Sequence, residues 1–197
     1  MTGMLAFTAI SLAALTGAVA PASAAAARTA PHALTTLLAE DSPSQWVSTT
    51  DPDSGISVML PGQPTLHKTT ITINGKPIAT RAYVRKLTGS HGVIVFMVMD
   101  GAAGVDLDAV MQGMTSTVGT NGTVTSSRHF VLDGRPALDG RSTFTLKNTP
   151  AVGLARFVSD GDRVVGIGTI GPVAEENTLT QVHQQALGTL QLPERPR

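Results

Sequence analysis

Residues 164–172 read VVGIGTIGP, and the reading of this stretch decides the fold. Gly166, Gly168 and Gly171 have the G-x-G-x-x-G spacing that opens a dinucleotide-binding βαβ unit, after an apolar run and before a helical pattern. That unit also needs a second parallel strand beyond the helix, with an acidic residue near its end to hold the ribose. Here the helical pattern is followed by QLPERPR (191–197), which reads as no strand, and Pro172 stands where the motif expects close packing of helix on strand. The stretch therefore reads as a sheet strand. Gly166 and Gly168, two residues apart, share one face, and Val165, Ile167 and Thr169 share the other. The missing side chains predict that a helix approaches the sheet closely there.

The segments upstream alternate as strands do. In GISVMLPG (55–62) Ile56, Val58 and Leu60 alternate with Ser57 and Met59 until Pro61-Gly62 ends the run. In TTITINGKPIATRAYVRKL (69–87) Asn74-Gly75 lies between two alternating segments, the signature of a two-residue hairpin turn that needs positive φ. Val93 to Met99 is apolar at seven consecutive positions, which predicts a central strand covered on both faces. The period then changes. Leu107, Val110, Met111, Met114 and Val118 follow helical spacing, with Asp106 as N-cap and Gly119 as stop. Three or four more strands follow, and the acid-glycine pairs beginning at Asp133, Asp139 and Asp160 read as turns without the further carboxylates calcium needs. Leu179, Val182, His183, Ala186, Leu187 and Leu190 stripe a closing helix. Strand runs joined by short turns predict an α+β fold with a mainly antiparallel sheet between two principal helices, over residues 46–193 with a tail at 194–197.

Fourteen basic and fourteen acidic residues leave no net charge, so no long-range field draws the chain to nucleic acid or anionic lipid. With no cysteine, disulfides, thiolate chemistry and a cysteine-linked lipid anchor are all excluded. The first 27 residues hold no Asp, Glu, Lys or Arg, and Ala22-Ser23-Ala24 fits a signal-peptidase site after an apolar run. That run has about 16 residues before Pro21, short of the about 20 a membrane span needs. Residues 1–24 are thus expected to be a signal peptide cut after Ala24, and 25–45 a flexible lead-in, leaving a secreted or envelope-associated domain with no membrane span.

Few residues suggest chemistry. Ser90-His91 on a glycine-flanked loop lacks a nucleophile motif. His67, His91 and His129 lack metal-ligand spacing, and Asp106 and Asp108 suit a helix start. His183, on an apolar stripe, reads as a core histidine, and Asn121-Gly122-Thr123 as a turn that also matches a glycosylation sequon. No catalytic, cofactor or metal site is expected. Arg81, Tyr83 and Arg85 share a strand face, a composition enriched at recognition surfaces, and are expected to form a partner surface. Met97, Met99, Met111 and Met114 suggest an adaptable apolar pocket between sheet and helix.

An aromatic at the domain entrance (Trp46), GISVMLPGQP as first strand, a hairpin, an apolar strand, a helix after VDLD, strands around LDGRPALDGRSTF and ARFVSDGDRVVGIGTIG, and a closing helix together resemble the PsbP-like fold. The resemblance spans residues 46–193 and implies an α/β/α sandwich, found in a photosystem II extrinsic subunit and in exported actinobacterial proteins and lipoproteins. Such proteins act mostly as adaptors, so the resemblance carries over no catalytic residue. The expected function is a secreted, non-enzymatic module that binds a protein or envelope component. The alternative is a carrier of a small apolar ligand.

Overall fold

The computed structural model describes residues 45–73 and 75–194. The expected signal peptide, the lead-in up to residue 44 and residues 195–197 lie outside them. The described chain runs β1 (Trp46–Thr50), β2 (Ser57–Pro61), β3 (Thr65–Ile73), β4 (Lys76–Lys86), β5 (Val93–Asp100), α1 (Leu107–Val118), β6 (Thr120–Leu132), β7 (Arg135–Leu146), β8 (Thr149–Asp160), β9 (Arg163–Pro172), a 3-10 turn at Val173–Glu175, and α2 (Glu176–Leu187). Seven strands form one antiparallel sheet in the order β3-β4-β5-β9-β8-β7-β6, and β1 pairs with β2 apart from it. The apolar strand β5 lies inside the sheet, between β4 and β9.

Two-residue turns set the register. Ile73 pairs with Lys76 across the expected hairpin, with Gly75 at φ 77°. Leu132 pairs with Arg135 around Asp133 (φ 49°) and Gly134 (φ 73°), both positive as a type I′ turn requires. Lys147 and Asn148 form another such turn, which the sequence reading had not singled out. The α1 boundaries agree with the sequence, and the Asp106 carboxylate caps the Asp108 N–H. Two expectations change. Trp46–Thr50 is a strand, so the GISVMLPG run is the second strand rather than the first, and Asp139-Gly140 lies within β7 rather than at a turn.

Each sheet face has its own core. On one face Ile56, Val58 and Leu60 of β2, with Leu179, Ala186 and Leu187 of α2, pack against residues such as Phe96 and Ile167. On the other, Leu107, Val110 and Met111 of α1 join Met97, Met99, Leu138 and Phe157. Helices do approach the sheet over glycines, but not over Gly166 and Gly168. A Cβ at Gly171 would lie 3.0 Å from Leu179 of α2, and one at Gly140 would lie 2.8 Å from Met111 of α1. Above Gly166 the space is filled by neighbouring strand side chains, with Met97 2.8 Å and Phe157 2.9 Å from such a Cβ. Thr189 ties the end of α2 to β2, accepting from the Met59 N–H at 2.9 Å and donating to the Ala186 carbonyl at 2.8 Å.

Candidate functional site

Strand register carries the α2-side face across the sheet in continuous rows. One row runs Tyr83, Phe96, Ile167, Arg156, Asp139, Arg128, and the next runs Arg85, Ile94, Thr169, Leu154, Arg141, Ser126. The face is thus apolar at its centre and polar at both ends. Which polar end is open decides where a partner can reach it.

The β4 end is closed. Arg81, Tyr83 and Arg85 share the face as the sequence predicts, but Arg81 (8% exposed) and Tyr83 (7%) are buried with Asp51, which is 0% exposed. Arg81 donates to both Asp51 oxygens at 2.6 and 3.0 Å, and the Tyr83 hydroxyl donates to Oδ1 at 2.8 Å. Arg81 also pairs with Asp100, which Arg163 contacts at 3.0 Å. Burial by itself would raise the Asp51 pKa; the hydrogen bonds from Arg81, Ser54 and Tyr83 and the Arg81 charge outweigh it and hold the carboxyl at about 2. Burial and the bond to Asp51 push the Tyr83 phenol up to about 12. Tyr83 also stacks on Phe96 with centroids 5.3 Å apart, and Arg85 donates to the Pro61 carbonyl at 3.1 Å. The expected recognition surface is instead the anchor of the β1–β2 hairpin. Only the sequence-distant Asp51 reveals this, since a buried cation needs a buried anion.

The methionine cluster is packed as well. Met97, Met99 and Met111 are buried, Met114 is half-buried beside them, and Met97 and Met111 press against the backbone at Gly166 and Gly140. The histidines do not converge. His67 is on the edge strand β3, and His129, on the opposite edge β6, bonds Asp108 at 2.8 Å. Among the described residues no set of three His, Cys, Asp or Glu side chains is placed to hold a metal. Glu175 does join Ser90 and His91, accepting from the Ser90 hydroxyl and the His91 N–H and lying 2.9 Å from His91 Nδ1. The carboxylate stands between hydroxyl and imidazole, so the imidazole is not the base for Ser90 that a nucleophilic triad requires.

The other polar end is open. Between α2 and strands β6 to β8 lies a groove of about 280 Å³. Ser126, Ser127 and Arg128 line one side, Thr180 and Gln184 of α2 the other, and Asp139, Arg141, Leu154, His183 and Leu187 lie between. Arg156 clasps Asp139 with two hydrogen bonds at 2.7 and 2.8 Å, and Arg141 clasps Glu176 at 2.7 and 2.9 Å. Burial tends to raise the Asp139 pKa, but Arg156 and Arg128 hold it below the usual carboxylate range. Arg141 likewise lowers that of Glu176. Arg128 reaches Asp139 through one bond at 3.2 Å, and its guanidinium stands 5.4 Å from the Phe130 centroid, with Arg156 at 4.8 Å from the same ring. Three guanidinium groups therefore meet two carboxylates, leaving Arg128 as the surplus cation. His183 is buried at the groove floor, 3.1 Å from the Thr169 hydroxyl, and burial depresses its pKa to about 4, leaving it neutral near pH 7. Its expected core role is what the structure shows.

This groove was not anticipated from sequence. Asp139 and Arg141, two apart in a strand, do share a face, but Arg128, Arg156 and Glu176 join them only through strand pairing and the docking of α2.

No protein-family model and no curated protein matches the sequence. The chain has the PsbP-like fold: it is similar to the solution structure of cyanobacterial PsbP (CyanoP) from Synechocystis sp. PCC 6803, with a TM-score of 0.53 and 8% identity over 76% of this chain and 94% of that one. It is also similar to LpqN of Mycobacterium tuberculosis, a protein described as involved in cell envelope biogenesis, at a TM-score of 0.45 and 15% identity over 76% of this chain and 91% of that one. A protein of unknown function from Pseudomonas aeruginosa aligns at 0.47 and 14% over 66% of this chain and 99% of that one. At 8% identity the likeness to CyanoP defines the fold alone. Among the described residues no helix is long and apolar enough to cross a membrane.

Proposed function

We propose that the chain is an exported, non-enzymatic accessory module that binds a protein partner of the cell envelope or extracellular space through the groove between α2 and β6–β8. The observation that carries this reading is the groove's composition: apolar Leu154 and Leu187 at its base, and arginines at its mouth. Arginines around a small apolar floor are a composition enriched at interface hot spots. At about 280 Å³ the groove lies at the lower limit for a small-molecule pocket, which suits one or two partner side chains better than an enclosed ligand. Export rests on the sequence of residues 1–24, and the adaptor role agrees with what the resemblance to PsbP-like proteins implies.

Thr180 is exposed on α2 and lines the groove, whereas its exposed neighbour Gln181 is not among the lining residues. In pull-downs from the host's envelope fraction, Thr180→Trp is expected to reduce capture of the partner at least tenfold, and Gln181→Trp to leave it unchanged. Equal capture by both variants, or saturable turnover in a hydrolase panel, would contradict the proposal.

A further inference from the structure

The wall of the groove formed by β6 is also the end of the sheet: among the described residues no strand pairs with its outer side. A long open edge is a template for another extended chain, and proteins ordinarily blunt it with bulges, proline or inward charges. In β6 the irregularities fall between Thr120 and Ser126. Beyond them Ser126 to Leu132, itself without proline, pairs residue for residue with Arg141 to Arg135. Alternate residues of this regular stretch direct both backbone groups outward, as antiparallel geometry requires. On the groove face the stretch presents Ser126, Arg128 and Phe130; on the other it presents Val131, 71% exposed and the most exposed large apolar side chain among the described residues.

Charge indicates what occupies the edge. The Arg128 side chain is 74% exposed, and its one carboxylate partner, Asp139, is already held by two bonds from Arg156. Val124 to Leu132 contains Arg128 and His129 but no Asp or Glu. Two copies of β6 paired edge to edge would therefore bring cations together with no carboxylate on either strand. An added strand with an acid opposite Arg128 would place opposite charges at cross-strand distance, and an apolar residue two positions along would meet Phe130.

We infer that β6 receives an extended acidic segment of a partner polypeptide as an eighth strand, over Ser126–Leu132, with a carboxylate of that segment on Arg128. The inference rests on the groove reading and specifies how the partner enters: by backbone pairing along β6, with alternate side chains turned toward the groove.

The test uses the chain with two synthetic peptides, acetyl-TVTETVT-amide and acetyl-TVTKTVT-amide, followed by residue-resolved hydrogen exchange and by titration. The glutamate peptide is expected to slow exchange of the outward amides between Ser126 and Leu132 at least tenfold, and to bind at least tenfold more tightly than the lysine peptide. Arg128→Glu, a change at an exposed site, is expected to reverse that preference. No slowing on β6, equal affinity for both peptides, or an unchanged preference in Arg128→Glu overturns the inference. Slowing confined to Thr180–Leu187 overturns strand addition while leaving the groove reading in place, and slowing at neither element counts against both. Self-association that Val131→Lys abolishes would show a second copy on the edge and would also overturn it.

Discussion

Asp51 and His183 are both buried and ionisable, and their surroundings treat them in opposite ways. Asp51 is ringed by donors and stays ionised, while His183 has a hydroxyl neighbour and stays neutral. Both therefore bind protons more weakly folded than unfolded, so each contributes stability that is lost as pH falls. For His183 the window runs from its ordinary 6.5 down to about 4; for Asp51 it runs from 3.8 down to about 2. Acid unfolding should thus proceed in two ranges, the histidine acting first. Between pH 7 and pH 4.5 the unfolding free energy from urea titrations is expected to fall by about 2 to 3 kcal/mol, and His183→Gln is expected to flatten most of that slope. An unchanged slope in His183→Gln would assign the loss to other groups.

At the scale of elements, Gly166 and Gly168 were legible as strand glycines, and their different surroundings were not. Both belong to β9, but a Cβ at Gly166 meets Met97 and Phe157 below 3.0 Å, whereas at Gly168 the nearest contact is the Leu154 carbonyl at 3.9 Å. Gly166→Ala is expected to cost about 1 to 3 kcal/mol by overpacking, and Gly168→Ala to stay within about 0.5 kcal/mol, as thermal unfolding of the two variants would show. A dinucleotide loop would make both positions critical for a ligand, with no such contrast in stability. The hairpins at Asn74-Gly75 and Asp133-Gly134 and the α1 boundaries were readable because turn chemistry and capping act within a few residues. β1 was missed because WVSTT has little apolar alternation and gains its strand form from pairing with β2. Asp139-Gly140 was misread for a related reason: an acid-glycine pair favours a turn locally, yet here Asp139 serves Arg156 across the sheet and Gly140 admits Met111.

Across the whole molecule, the α2-side face has two polar ends of similar composition and opposite fates. The β1–β2 hairpin, fastened by Asp51 to Arg81 and Tyr83, closes the β4 end, and α2 covers the centre. At the β6–β8 end α2 leaves the groove open, so Arg128, Arg141 and their carboxylate partners remain at the surface around it. Sequence identified arginine and tyrosine as recognition residues and chose the closed end, because the difference depends on where β1 and β2 dock. The methionines were likewise readable as apolar and adaptable, but whether they enclose space depends on packing at Gly140 and Gly166. Partner binding at the open end is the central claim. Its most direct test is native mass spectrometry of the chain purified from its own host's envelope fraction, beside Thr180→Trp treated identically. The account predicts a species heavier than the chain by a whole polypeptide, lost in the variant. A bare chain, or one carrying only a few hundred daltons, in both samples would contradict it.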